Sequence, residues 1–454
     1  MPHTLNLSLD EISQQLQSGQ CSARSLVEAT FTRIAAVNDP ERPIYLVLYT
    51  ESALARADEI DQARAAGKTL GKFAGIPFAA KDLFDVQGET TTAGSVVLKD
   101  EPAATSNATV VQNLIDAGMI LIGKTNMTEF AFSGLGLNPH YGTPPAWGTV
   151  GETACAPGGS SSGAGVSIAA GTVPVSLGTD TAGSCRIPAA WNGVVGYKPT
   201  QSSISGKGAF PLSPLFDAPG PFTHRVACCH SMYQLMAGQA QTELPATQLN
   251  DMRFAVPNGL AMADLDPTVE AAFKRTVETL IAAGATVETI DVPEFEAAGE
   301  VFRSAPMATY QAWEIHQERL GQTPELFDPF VAMRVSTGQN ISDQTQAANA
   351  VKRAAAIEGY NTRMKDFDAL LMPTTADLPP PLAPLQYDME VFAATNGRAL
   401  RNTSLINFID GCAISIPCQQ AEEPAIGFSL CHANGQDERL FVAAAAVEKA
   451  IQSG

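Results

Sequence analysis

PGGSSSGAGVSIAAGTVPVSLGTDTAGSCRIPAAWNGVVGYKP, residues 157–199, is the stretch on which the reading of the chain turns. It holds six serines, nine glycines and only three charged side chains. Two turns rich in glycine and hydroxyl residues, 158–163 and 179–184, bracket an apolar segment, 166–175. Little is on offer there except hydroxyls and backbone amides. Glycines let a backbone come close to a ligand and aim its amides at one point. Hydroxyls supply nucleophiles and proton carriers, so the chemistry suggested is attack on a carbonyl with the oxyanion held by N–H groups.

The flanks give the fold class. Residues 8–11, SLDE, form a capping box, and helices are expected over 22–36 and 51–66 with a strand at 45–49 between them. Residues 104–117 read as a helix and 119–124 as a strand. Residues 197–220, rich in Ser, Pro and Gly, read as an irregular connection, followed by a helix over 225–237. Alternation then resumes, with strands at 253–256, 287–292, 369–373, 413–417 and 426–431, and helices at 267–283, over most of 298–365 and at 437–451. The expectation is an α/β fold, a single large domain whose central mixed, twisted sheet is covered by helices on both faces. Within it, about 1–70 would be helical scaffold, about 71–200 the catalytic core, and 201–454 the remaining sheet and pocket loops.

Composition narrows the function. The chain has 454 residues, 45% of them apolar, and a formal net charge of −19, which argues against nucleic-acid and acidic-membrane surfaces. Its eight cysteines form no CxxC pair and no zinc spacing with the six histidines, so no metal and no cofactor is expected. With no basic, apolar leader at the start and no apolar run of spanning length, a cytoplasmic protein is expected.

Which serine acts is open from the residues alone. GSSSG at 159–163 fits a nucleophile elbow centred on Ser161, and Asp410 and His432 follow in the order an α/β hydrolase needs. GTDTAGS at 178–184 has better surroundings, since a strand at 173–177 would run into it and present Ser184 at a sheet edge. No histidine lies near either turn, which leaves room for a lysine base. Lys81 interrupts the apolar strand FAGIPFAAKDLF at 73–84; it would either be desolvated, with a lowered pKa, or snorkel to solvent or pair with Asp82 or Asp85.

Taken together, GGSS (158–161), GTDTAGSCRIP (178–188) and GIPFAAKD (75–82) resemble the amidase signature family. Further matches are GKTN (123–126), GVVGYKPT (193–200), PTT (373–375) and DERL (437–440), in that family's order. The resemblance implies a Ser–Ser–Lys triad, with Ser184 as nucleophile, Lys81 as base and Ser160 as a bridging serine on a cis peptide bond. It places Ser161 in support of the network, Asp180 and Arg186 as braces of the loop, and the oxyanion on the amides of Thr181, Ala182 and Gly183. Where the family usually has two glycines before the nucleophile, this chain has Ala182 and Gly183, so a methyl should narrow the mouth of the oxyanion hole. The implied activity is hydrolysis of C–N bonds in linear amides or carbamates, with esters as side substrates, through an acyl-enzyme. The alternative within the family is a glutamine-hydrolysing component of a tRNA-dependent amidotransferase. The expected partner is a small amide or carbamate, with a homodimer as the assembly to test for. Substrate contacts are expected from the loops 127–141 and 302–335, with Phe130, Phe132, Trp313 and Phe330 lining an aryl-tolerant cavity and His140 and Tyr141 near it.

Overall fold

Both faces of the central strands are apolar, and alternate side chains go to different cores. In the computed structural model, which describes residues 4–453, Cys412, Ile414 and Ile416 enter one cluster with Leu440 and Phe441. Ala413, between them, enters a second cluster with Ile406 and Phe408. Ala369 and Leu371 likewise face the first cluster, while Leu370 and Met372 face the second. A strand with two buried faces has no polar side, so it reads as an unbroken apolar run.

Eleven strands form one sheet. They are β1 (Tyr45–Leu48), β2 (Pro77–Lys81), β3 (Ile120–Thr125), β4 (Ser176–Asp180), β5 (Val195–Lys198), β6 (Ala218–Thr223), β7 (Arg253–Pro257), β8 (Thr286–Ile290), β9 (Ala369–Pro373), β10 (Cys412–Pro417) and β11 (Gly427–His432). Their order is β1-β3-β2-β4-β6-β5-β10-β11-β9-β7-β8. The sheet is mixed: β3, β2 and β4 are parallel, as are β8, β7 and β9, while β4 to β9 connect through antiparallel pairs. The helices Arg186–Asn192 and Asp437–Ser453 both pack on β10 and β11. The α/β expectation therefore holds, as one sheet flanked by helices.

Local expectations meet two corrections. The helix expected over 104–117 forms only at Thr109–Asp116, because Ala104 is drawn into backbone bonds with Gly88 and Glu89 and Ala108 bonds to Asp85. The irregular connection at 197–220 conceals part of β6, whose sequence APGPFT carries Pro219 and Pro221 in a central strand. Proline normally argues against such a place. Residues two apart aim their amides at the same neighbour, so the two missing donors fall on one side of β6. No helix among the described residues is long and apolar enough to cross a membrane.

Candidate active site

β2 and β4 are parallel neighbours, with Ala79 opposite Ser176 and Ala80 opposite Leu177. Their C-terminal ends thus lie side by side and deliver Lys81 and Thr179 to one place. Lys81 Nζ donates to Thr179 Oγ1 at 2.9 Å and to Ser160 Oγ at 2.8 Å. The Gly159–Ser160 peptide bond is cis. The segment is held from outside by Gly159 N donating to Gly134 O at 2.8 Å and Thr128 N donating to Ser160 O at 3.0 Å.

Lys81 is fully buried and forms no ion pair among the described residues. Asp82, the partner expected of a merely structural lysine, lies 2.9 Å from Lys124 Nζ instead and accepts from Gly94 N and from the Thr92 hydroxyl. Asp85 accepts from Thr91 Oγ1 at 2.6 Å. Desolvation pulls the Lys81 pKa down to about 7 against the opposing pull of Asp217 and Asp180. The lysine is thus a buried amine near neutrality, bonded only to hydroxyls.

Ser184 lies in the turn between β4 and the helix Arg186–Asn192 and lines a cavity of about 430 Å³. Among the described residues its hydroxyl has no protein hydrogen-bond partner, so Ser160 and Ser184 are not bonded to each other. The turn itself is stiffly held. Asp180 accepts from Gly183 N at 2.8 Å and Cys185 N at 3.1 Å, and takes Arg186 through Nε at 3.0 Å and Nη2 at 2.9 Å. Burial pushes the Asp180 pKa up, and the Arg186 charge overcomes it and holds the carboxyl at about 2. Gly183 has φ +137°, and a Cβ there would come within 2.2 Å of Thr403 Oγ1, so this position needs glycine twice over.

One expected amide is otherwise engaged. Gly183 N belongs to Asp180, so it is removed from the proposed oxyanion donors. Among the described residues, the amides of Thr181, Ala182 and Ser184 have no protein acceptor, and all three residues line the cavity.

The elbow arrangement is not assembled. Ser161 Oγ donates to Thr179 O at 3.3 Å, below β4. His432 accepts from Ala433 N at Nδ1 and bonds the Phe367 carbonyl through Nε2, while Asp410 accepts from Gln201 N and Asn434 Nδ2. Each of the three has a separate structural task. Cys185 is buried, with its thiol pKa pushed well up by desolvation, in keeping with a spacer.

The pocket loops were half anticipated. Phe132 lines the cavity, as do Phe302, Arg303 and Arg334 from the expected segments. Phe130 instead packs against Phe327 and His316, Phe330 stacks on Phe392 at 4.3 Å, and the Trp313 Cβ lies against Gly338. His140 bonds Glu129 at 2.9 Å and, with Tyr141, is absent from the cavity wall. The wall that sequence reasoning missed is the helix Met389–Phe408, which contributes Asn396, Leu400, Arg401 and Ser404 to the cavity. Its Thr403 and Asn407 reach the turn from behind: Thr403 Oγ1 donates to Ala182 O, and Asn407 Nδ2 to Asp180 Oδ1. Their i, i+4 spacing, which puts them on one face of a helix, was the available signal.

Residues 25–441 match the family described as Amidase. The chain belongs to that family, the amidase signature enzymes. The 2-amino-5-chloromuconic acid deaminase of Comamonas testosteroni is 32% identical over 99% of this chain and 97% of its own. The glutamyl-tRNA(Gln) amidotransferase of Salinispora tropica has one component that is 30% identical over 99% of this chain and 98% of its own. A solved amidase structure superposes with a TM-score of 0.87 at 29% identity, covering 98% of this chain and 99% of that one. This amidase is therefore an amide-cleaving hydrolase, and its catalytic parts must be sought where hydroxyls, amine and cavity meet.

Proposed function

We propose that this amidase hydrolyses small linear amides through a relay of Lys81, Ser160 and Ser184. The observation that carries the reading is the 2.8 Å contact between a buried amine of pKa about 7 and the Ser160 hydroxyl. Neutral Lys81 takes the Ser160 proton as Ser160 takes that of Ser184, and Ser184 Oγ attacks the carbonyl carbon. The oxyanion is received by the amides of Thr181, Ala182 and Ser184. Reversal of the relay protonates the leaving nitrogen as the C–N bond breaks. A water then adds to the acyl-enzyme, gives up its proton along the same path, and releases the acid and Ser184. Asp180 and Arg186 hold the turn, and Ser161 supports the strand beneath it.

The test is a fluorophosphonate label with peptide mapping, alongside turnover of amides, carbamates and esters. A label on Ser184 that Lys81→Ala abolishes, in a variant that keeps its fold, is the expected result. Normal turnover by Lys81→Ala would remove the relay. The similarity to an amidotransferase component supports a second reading, glutamine hydrolysis in a complex. Glutamine cleavage by the purified chain only after partner proteins are added would favour it.

A further inference from the structure

The cavity in front of Ser184 is mostly apolar, walled by Phe132, Leu260, Phe302, Leu400 and Leu405. Its lining includes three arginines, Arg303, Arg334 and Arg401, and among the described residues no Asp or Glu. Nor does any of the three form an ion pair among the described residues. Arg334 donates to the Phe132 carbonyl and stacks on the Phe132 ring at 4.0 Å. Arg401 donates to Ala263 O at 2.6 Å and to Asn402 Oδ1 at 3.0 Å. The Arg303 guanidinium lies over Gly299, where a Cβ would be 3.1 Å from Nη1.

This pattern is not a shortage of acids. The chain has 47 Asp and Glu against 28 Lys and Arg. Several of its other arginines find them: Arg398, three residues before Arg401 on the same helix, pairs with Asp377, and Arg363 pairs with Glu294. In the cavity Arg334 and Arg401 are propped by neutral carbonyl and amide oxygens, which fix their position without an ion pair, although Asp377 and Asp264 act on the Arg401 charge from outside the lining. Desolvation lowers the Arg334 pKa only to about 10, so it stays charged at neutral pH. Such charge at an apolar site attracts a carboxylate, which guanidinium binds with two parallel hydrogen bonds.

We propose that the amide cleaved here carries a carboxylate remote from the scissile bond, docked on Arg303, Arg334 and Arg401, with an apolar spacer between. This rests on the Ser184 hydrolase reading and adds its substrate class. Hydrolysis of such an acid amide consumes one water and releases ammonia or an amine with a dicarboxylic acid. The same wall disfavours cations. Glutamine brings an α-ammonium that would find no acid and three like charges, whereas glutaric acid monoamide is the same molecule without it.

The experiment is kcat/KM for the purified chain on five probes. These are glutaric acid monoamide, its methyl ester, glutamine, and 4-carbamoylbenzoic acid with its own methyl ester as the aryl pair. Each acid amide should exceed its ester, measured as amide cleavage, by about tenfold or more, and the glutaric monoamide should exceed glutamine similarly. Arg334→Met and Arg401→Met should shrink the acid-to-ester ratio, mainly through KM. Arg303→Gln, at an exposed position, should do so too. Equal rates on acids and esters, or ratios that none of the three variants changes, overturn the proposal while leaving the hydrolase reading intact. Failure to cleave any amide, neutral ones included, removes the hydrolase reading and this one with it.

Discussion

Thr403 Oγ1 donates to the carbonyl of Ala182 at 2.6 Å, and Asp180 accepts the N–H at the other end of the same peptide unit at 2.8 Å. The Ala182–Gly183 peptide is thereby clamped from both sides. Its plane fixes the direction of the Ala182 and Ser184 amides, which flank it. One contact comes from the end of β4 and the other from the helix Met389–Phe408, more than two hundred residues later.

Thr403→Val keeps the shape and removes the donor. The Ala182 carbonyl is then left without its partner, a cost of about 1–3 kcal/mol for a buried group. We expect kcat to fall by about tenfold or more, since preorganised amides act on the transition state, with a smaller change in KM. Thr403→Ser should restore most of the rate. A Thr403→Val enzyme that lost stability but kept its kcat would show that the clamp is structural only.

The pH profile follows from the amine. In the proposed relay Lys81 acts as base only when neutral, so kcat/KM should rise with pH through about 7 and level off above it. Asp217 lies close enough to favour the charged amine; burial raises its own pKa to about 6, so it is ionised at and above neutrality. Asp217→Asn removes that pull and should move the acid limb to lower pH. The amide oxygen can still accept from Thr181 Oγ1, as the carboxylate does at 2.6 Å. An acid limb that stays in place would mean that another group sets it.

Much of this was readable beforehand, and the failures have physical causes. The motifs around Lys81, Ser160 and Ser184 were long enough to show the family by likeness, and the strands with two buried faces announced themselves as apolar runs. Strand β6 did not, because Pro219 and Pro221 carry the signal of a loop while tertiary pairing makes them a strand. The bond from Gly183 N to Asp180 was not legible, because sequence shows that an amide exists and says nothing of what has claimed it. Thr403 and Asn407 were missed since their partners lie far away in the chain. The competing Ser161, Asp410 and His432 could be separated only in space.

Asp180 and Arg186 form a pair with no exposed side-chain surface, 2.9 Å apart. Breaking such a pair from one side strands a charge, at about 3–5 kcal/mol. Asp180→Asn should therefore lower the denaturation midpoint sharply and abolish turnover, as it also weakens the bonds to Gly183 N and Cys185 N. The native carboxyl titrates near 2, below its ordinary 3.8, so its contribution is present above about 4 and is lost as pH falls toward 2. The stability gap between wild type and Asp180→Asn should narrow over that acid range; a gap constant from pH 5 to pH 2 would contradict the assignment.

Lys81 should be a cost to the fold that function imposes. Its amine is fully buried among Ser160 and Thr179 hydroxyls, and its pKa falls from 10.5 to about 7. Between those values the unfolded chain holds a proton that the folded one does not, so wild-type stability rises with pH from about 7 to 10.5. Below 7 both states are protonated, and the full penalty of a desolvated ammonium applies. Lys81→Met, similar in length and uncharged, removes the penalty, on the order of a few kcal/mol. The variant should be inactive yet melt higher than wild type at pH 6, with the advantage shrinking toward pH 10. Thermal melts of the two proteins across that range decide the matter. A difference in Tm independent of pH would show that the Lys81 amine is not the desolvated group on which the proposed relay depends.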